Sequence, residues 1–299
     1  MTMKHIPPRA RLLATGLLLI SVGACTPVDA GADTTLRYTA IPDHDARLLA
    51  ERFAPLTAHL ADTLGVAIEY VPMSDYQASV EAFKNGDIQL AWFGGLTGVQ
   101  ARAAVPGARA IAQGSVDPHF KSYFIAHGGT DLRPGKDFPD ALAGRSFTFG
   151  SESSTSGRLM PEHFIRSATG QGPEDFFGTP NHYSGSHDKT ARLVEAGTFE
   201  AGVINYRTYD SMVRDGRLDP QRCRVIWTTP AYADYNWTAH PDLEARFGPG
   251  FTDRLQSALV QLAQPQFLAA LDRPEGLIPA SNADFASLDE LARGLGFVK

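Results

Sequence analysis

Cysteine is nearly missing from this chain: Cys25 and Cys223 are the only two in 299 residues. So few thiols exclude a disulfide-built scaffold and a zinc ribbon alike. Histidine occurs nine times but never as H-E-x-x-H, so the zinc-hydrolase helix is also absent. No G-x-x-x-x-G-K-[ST] occurs, and the chain does not itself hydrolyse ATP. No G-x-S-x-G occurs, which removes the nucleophile turn of the α/β hydrolases. Basic charge is in short supply, with 27 Lys and Arg against 33 Asp and Glu, net −6. Binding nucleic acid requires a basic surface, and that role is excluded. Long apolar runs are missing too, apart from Leu12 to Val22, eleven residues that are too short to cross a bilayer.

That run follows Lys4, Arg9 and Arg11 and leads into Val22-Gly23-Ala24-Cys25. A positive start, a short apolar core and small residues before a cysteine are the pattern of an export signal. Residues 1–25 thus read as a lipoprotein signal, with Cys25 as the lipidated residue, and 26–35 as a flexible tether. With Cys25 acylated, Cys223 has no partner for an intrachain disulfide, so stability rests on packing. Without residues 1–24 the chain keeps 24 Lys and Arg against 33 Asp and Glu, net −9. Any anion that it binds is held by local dipoles, against the sign of the global field.

Beyond residue 35, strand and helix signals alternate, which predicts an α/β fold with mixed, mostly parallel sheets. Leu48, Leu49, Phe53, Leu56, Leu60 and Leu64 recur at helical spacing before Gly65. Ile88 to Phe93 is an apolar strand running into Gly94-Gly95. A second series begins after the turn-rich stretch 128–144, and the chain is mostly helical from about residue 252. The two series predict two lobes, the first comprising 36–127 and 238–299, the second 128–237. Ligand sites in such sheets lie at the carboxyl ends of strands.

One stretch carries more chemistry than any other. Phe147-Thr148-Phe149-Gly150 is followed by Ser151, Ser153, Ser154, Thr155 and Ser156, and a helical pattern starts there. The first backbone N–H groups of a helix lack partners and face its positive pole. A single cap needs one hydroxyl, so five of them suggest a neutral donor basket for a small anion. Gly185-Ser186-His187-Asp188 opens another helix and adds an imidazole. Ser186-x-x-Lys189 matches the nucleophile motif of penicillin-interacting enzymes, but neither S-D-N nor K-T-G accompanies it. Asp43-His44-Asp45 could touch a ligand or metal, although a solvated loop after the first strand is the simpler reading. Tyr76 follows Ser74-Asp75 at a helix start, which places its hydroxyl near the cleft, whereas the other aromatic residues read as core.

Taken in order, Asp75-Tyr76, Ala91-Trp92-Phe93-Gly94-Gly95, Ser153-Ser154-Thr155-Ser156-Gly157 with Pro161, and His187-Asp188 resemble the phosphonate-type binding proteins of ABC importers. The resemblance spans roughly 36–270. It implies a type II, Venus-flytrap protein without a cofactor. Such a protein closes as a monomer on a tetrahedral oxyanion and serves a membrane permease with its ATPase. It also implies that Tyr76, Ser154, Thr155, Ser156 and His187 touch the oxyanion. Arg207 and Tyr235 stand where binders of aminoethylphosphonate place acidic residues, and Phe120 stands for a second tyrosine. These three are further candidates for ligand contact. Trp92 to Gly95 together with Asp234-Tyr235-Asn236-Trp237-Thr238 resemble a subgroup presumed to carry selenate. Selenate or another inorganic oxyanion is therefore expected to bind more tightly than 2-aminoethylphosphonate. A ligand that carries a proton would also need an acceptor, for which Glu152 and Asp188 are the candidates.

Two other classes remain open to the sequence. One is an exported hydrolase or transferase using Ser186 and Lys189, or His187. The other is a sensor subunit reporting to a membrane kinase. The lipid anchor is testable at once: in detergent phase partitioning the parent protein should enter the detergent phase and a Cys25→Ala protein should remain aqueous. Partitioning of the variant with detergent would refute acylation at Cys25.

Overall fold

Helix formation and burial go together from the first elements onward. Ala46–Leu64 buries Leu49, Phe53, Leu56 and Leu60, spaced so that one stripe faces inward. Asp45 caps it by accepting the Arg47 and Leu48 N–H groups at 3.1 Å, and Gly65 ends it at φ 68°. The computed structural model describes residues 1–3, 5 and 34–299, and Cys25 with most of the leader and of the tether lies outside them. Among the described residues, no helix is long and apolar enough to cross a membrane.

Among the described residues, eleven strands form two sheets: β1 Thr35–Ala40, β2 Ala67–Tyr70, β3 Leu90–Phe93, β4 Arg109–Gly114, β5 Ser122–His127, β6 Phe147–Phe149, β7 His182–Tyr183, β8 Ala201–Asn205, β9 Cys223–Thr228, β10 Asn236–Ala239 and β11 Leu277–Pro279. The first lobe has the order β11-β4-β10-β3-β1-β2 and the second β7-β6-β8-β5-β9. Helices cover both sheets. In the second lobe, Phe124 packs into one core and Ile125 into another, because successive side chains leave a strand on opposite faces. The two-lobed α/β architecture matches the sequence reading.

Two details differ. Parallel pairs do not predominate: of the nine strand pairs among the described residues, four are parallel and five antiparallel. The reason lies in the crossings between lobes. β5 enters the second sheet between β8 and β9, and β10 re-enters the first between β3 and β4, each antiparallel to both neighbours. The lobe boundary moves accordingly. Since β5 belongs to the second sheet, the chain leaves the first lobe between 115 and 121, not after 127, and returns before β10.

The two crossing segments are tied to each other and to the first lobe. Phe120 and Tyr232 exchange backbone hydrogen bonds at 2.9 and 3.0 Å. Asp117 accepts from Arg273 Nη2 at 2.7 Å and from Arg273 Nε at 2.8 Å, and both side chains are buried. The Arg273 guanidinium lies over the rings of Trp92, Phe120 and Tyr235. Two-point geometry suits arginine and lets a buried pair recover its desolvation cost. Asp117→Ala leaves that cation buried without its carboxylate, and urea unfolding should show a loss of about 3–5 kcal/mol. A loss under about 1 kcal/mol would mean that the pair does not anchor the crossing.

Candidate functional site

Three helix N-termini meet where the lobes face each other, one more than the sequence indicated. The first follows β3: helix Gly95–Ala104 has no side-chain cap of its own. Its Gly95 N–H donates to Asp234 Oδ1 at 2.8 Å, and its Leu96 N–H donates to Thr155 Oγ1 at 2.9 Å. Thr155 comes from the other lobe, so this helix is capped across the cleft. A Cβ on Gly95 meets Leu288 Cδ2 at 2.4 Å and the Ala233 carbonyl at 3.2 Å, so a side chain here displaces Leu288.

The hydroxyl loop supplies the second terminus. After β6 the chain makes one π-helical turn, Thr155–Leu159, and then the α-helix Met160–Thr169. Ser154 caps the turn by accepting the Gly157 N–H at 2.9 Å. Ser154, Thr155 and Ser156 are all buried. A Cβ on Gly157 meets Ser154 Oγ at 2.9 Å and His187 Cε1 at 3.1 Å, so glycine admits the imidazole.

His187 opens the third, helix His187–Glu195, and is 1% exposed. Its Nδ1 accepts the Asn205 N–H at 3.3 Å, which puts the ring hydrogen on Nε2, 3.4 Å from Ser156 Oγ. Burial, partly offset by Asp43 and Asp188, lowers its pKa from 6.5 to about 4. It is therefore a neutral donor at physiological pH. A general base for Ser156 requires the opposite tautomer, so the pair is not a nucleophile and its base. Ser186 fares no better, since its hydroxyl donates to Asp188 at 2.6 Å while Lys189 is exposed.

Tyr76 is 1% exposed and begins helix Tyr76–Lys84, capped by Asp75. Its hydroxyl lies beside the Ser154 hydroxyl but makes no hydrogen bond among the described residues. Asp234 was missed in the sequence. It is 1% exposed, its Oδ2 has no partner at hydrogen-bond geometry, and burial raises its pKa from 3.8 to about 7. A carboxylate oxygen and a tyrosine hydroxyl are thus both buried without a hydrogen-bond partner among the described residues, which calls for an explanation.

The remaining candidates separate from this group. Glu152 is exposed, and Asp188 is occupied by Ser186. Phe120 packs among Tyr206, Tyr232 and Tyr235. Tyr235 donates to Asp43 at 2.8 Å, accepts from the Asn205 amide at 3.2 Å and stacks on Trp92. Asp43 and His44 are therefore part of the cleft wall rather than a solvated loop. Arg207 is ion-paired with Asp272 and Glu275. Among the described residues, no group of three or more His, Cys, Asp or Glu could hold a metal.

The family model "ABC transporter, phosphonate, periplasmic substrate-binding protein" matches residues 38–285. The chain belongs to this family. It is 37% identical over 270 residues to the "probable ABC transporter phosphite binding protein PhnD1" of Prochlorococcus marinus, covering 88% of this chain and 91% of that one. A phosphate-import protein of Mycolicibacterium smegmatis is 27% identical, with 85% and 84% covered. The solved structure of the Prochlorococcus protein with methylphosphonate superposes with a TM-score of 0.83, covering 89% of this chain and 99% of that one. A phosphonate-transporter component of Pseudomonas aeruginosa, 16% identical with a TM-score of 0.74, shares the fold, covering 86% and 85%. As the substrate-binding component of an importer, this protein works in the periplasm with a small ligand, a permease and an ATPase subunit. Its relatives are binding components of transporters, not enzymes.

The depressed pKa of His187 has a stability consequence. In the unfolded chain a histidine binds its proton near pH 6.5, whereas in the fold it does so near 4. Its contribution is thus complete above pH 6.5 and is lost as pH falls toward 4. Between pH 7 and 4.5 the parent should lose about 2 kcal/mol more than His187→Gln in urea unfolding. Equal losses would show that the imidazole is not held neutral.

Proposed function

We propose that this protein captures a small tetrahedral oxyanion carrying one proton, phosphite or a short phosphonate, and delivers it unchanged to the permease. Tyr76, Ser154, Thr155, Ser156 and His187 supply hydroxyl and N–H donors, helped by the amides at the helix termini. Asp234 carries the proposal. Its free, buried oxygen, part-ionised near pH 7, accepts a P–O–H hydrogen.

This moves the preference away from selenate. Selenate and sulfate are fully ionised near neutral pH and bring no proton to Asp234. A charged carboxylate against a bare dianion is repulsive in a dry site, where charges interact strongly. Phosphite and monoalkylphosphonates hold a proton in that pH range. The Prochlorococcus relative, a phosphite-binding protein by description and solved with methylphosphonate, supports the same choice. Acylation of Cys25 completes the proposal, giving a monomer tethered to a membrane through lipid alone.

Calorimetry at pH 7 with phosphite, methylphosphonate, phosphate, sulfate, selenate and 2-aminoethylphosphonate tests the proposal. Phosphite or methylphosphonate should bind most tightly and selenate far more weakly. Hydrogen bonds to charged groups contribute roughly 1.5–3 kcal/mol, so Thr155→Val and Ser156→Ala should each weaken binding about 10- to 100-fold. Asp234→Asn should narrow the gap between phosphite and selenate. Tightest binding of selenate would overturn the role of Asp234. Absence of heat with every oxyanion would overturn the function.

A further inference from the structure

Beside the anion site, the cleft is bridged by an ion pair in which none of the proposed donors takes part. Arg207, in helix Tyr206–Arg214 of the second lobe, donates from Nε to Asp272 at 3.3 Å and from Nη1 to Glu275 at 2.9 Å. Both carboxylates belong to the first lobe, between helix Pro265–Ala270 and β11. The arginine side chain is 14% exposed. Asp272 is the one non-glycine residue with positive φ among the described residues, at 51°. Aspartate tolerates that conformation better than most residues, yet the turn still accepts some strain in presenting this carboxylate.

Against the pair lies a cavity of about 20 Å³, walled by Arg207 and Asp272 and also by Asp43, His44, Trp92 and Tyr235. It adjoins the anion site through Asn205. The side-chain amide of that residue donates to Tyr235, and its backbone N–H holds His187. So small a space admits about one water-sized group. It leaves room for nothing longer while the ion pair is made.

We propose that Arg207, Asp272 and Glu275 form a bar that sets the largest substituent the closed cleft accepts, which rests on the oxyanion reading of the site. Hydrogen or methyl on phosphorus leaves the bar intact. An arm of two or three carbons pushes Arg207 away from Asp272 and Glu275, separates the charges and forfeits their contribution to closure. Arg207 and Asp272 are thus specificity-determining residues that need not touch the ligand.

The test is the affinity ratio of methylphosphonate to propylphosphonate and to 2-aminoethylphosphonate, measured by calorimetry. It uses the parent, Arg207→Ala, and the double variant Asp272→Asn with Glu275→Gln. Asparagine also tolerates positive φ, so the double variant removes charge while keeping the turn. The parent should favour methylphosphonate over both longer ligands. Either alteration should shrink each ratio roughly tenfold, the effect of losing about 1.4 kcal/mol of pairing that only the short ligand permits. Unchanged ratios in both proteins would overturn the bar. So would a gain confined to 2-aminoethylphosphonate in Arg207→Ala, which would mark simple repulsion of an ammonium. Phosphite or methylphosphonate binding by the parent with unchanged ratios leaves the oxyanion site standing and removes the bar alone. No binding of either by the parent removes both.

Discussion

A helix N-terminus cannot be buried with its N–H groups unpaired, and the closed cleft of this protein rests on that constraint. Each of three termini turns inward, and each needs acceptors in a place that water does not reach. Helix Gly95–Ala104 obtains its acceptors from outside itself, Asp234 from a crossing segment and Thr155 from the opposite lobe. The contact that caps the helix is therefore also a contact that holds the lobes together. Thr155 cannot cap Leu96 unless the cleft is shut, so closure and satisfaction of the backbone are one event.

The rest of the architecture serves that event. Strands β5 and β10 enter the middle of the opposite sheets, so both crossings begin and end in rigid frameworks. The Phe120–Tyr232 exchange keeps them side by side, and the Asp117–Arg273 pair fixes them to the first lobe. Asp234 lies on the return crossing, with its N–H donating to the Asp117 carbonyl at 3.1 Å. The carboxylate proposed to read the ligand's proton is thereby mounted on the same element that aligns the lobes.

The sequence made the local parts of this site legible and left the non-local parts hidden. An apolar strand, a glycine, five hydroxyls and a helical stripe sit within twenty residues, so the donor loop could be read from spacing and capping alone. Ser186-His187 at a second helix start was legible for the same reason. Asp234 was not: its partner Gly95 lies 139 positions away, and only the insertion of β10 beside β3 brings them together. Nothing in the periodicity of four short apolar residues states the direction of a strand, which is also why parallel pairing was overestimated. Arg207 shows the same limit. Its charge was visible, but Asp272 and Glu275 lie 65 and 68 residues onward, in the opposite lobe.

Burial moves the two titratable groups of the site in opposite chemical directions toward the same electrical result. Desolvation penalises whichever form is charged, so it lowers His187 to about 4 and raises Asp234 to about 7. Between those values both groups are predominantly neutral, the imidazole as a donor and the carboxyl as either donor or acceptor. A fixed cation would attract every anion, including the sulfate and chloride of any aqueous medium, with little regard to protonation. Neutral donors hold an anion only where geometry aligns them, and under the proposed reading the ionised fraction of the Asp234 carboxyl near pH 7 favours a ligand that brings a proton. A protein of net negative charge can in this way select an anion by its hydrogen rather than by its charge.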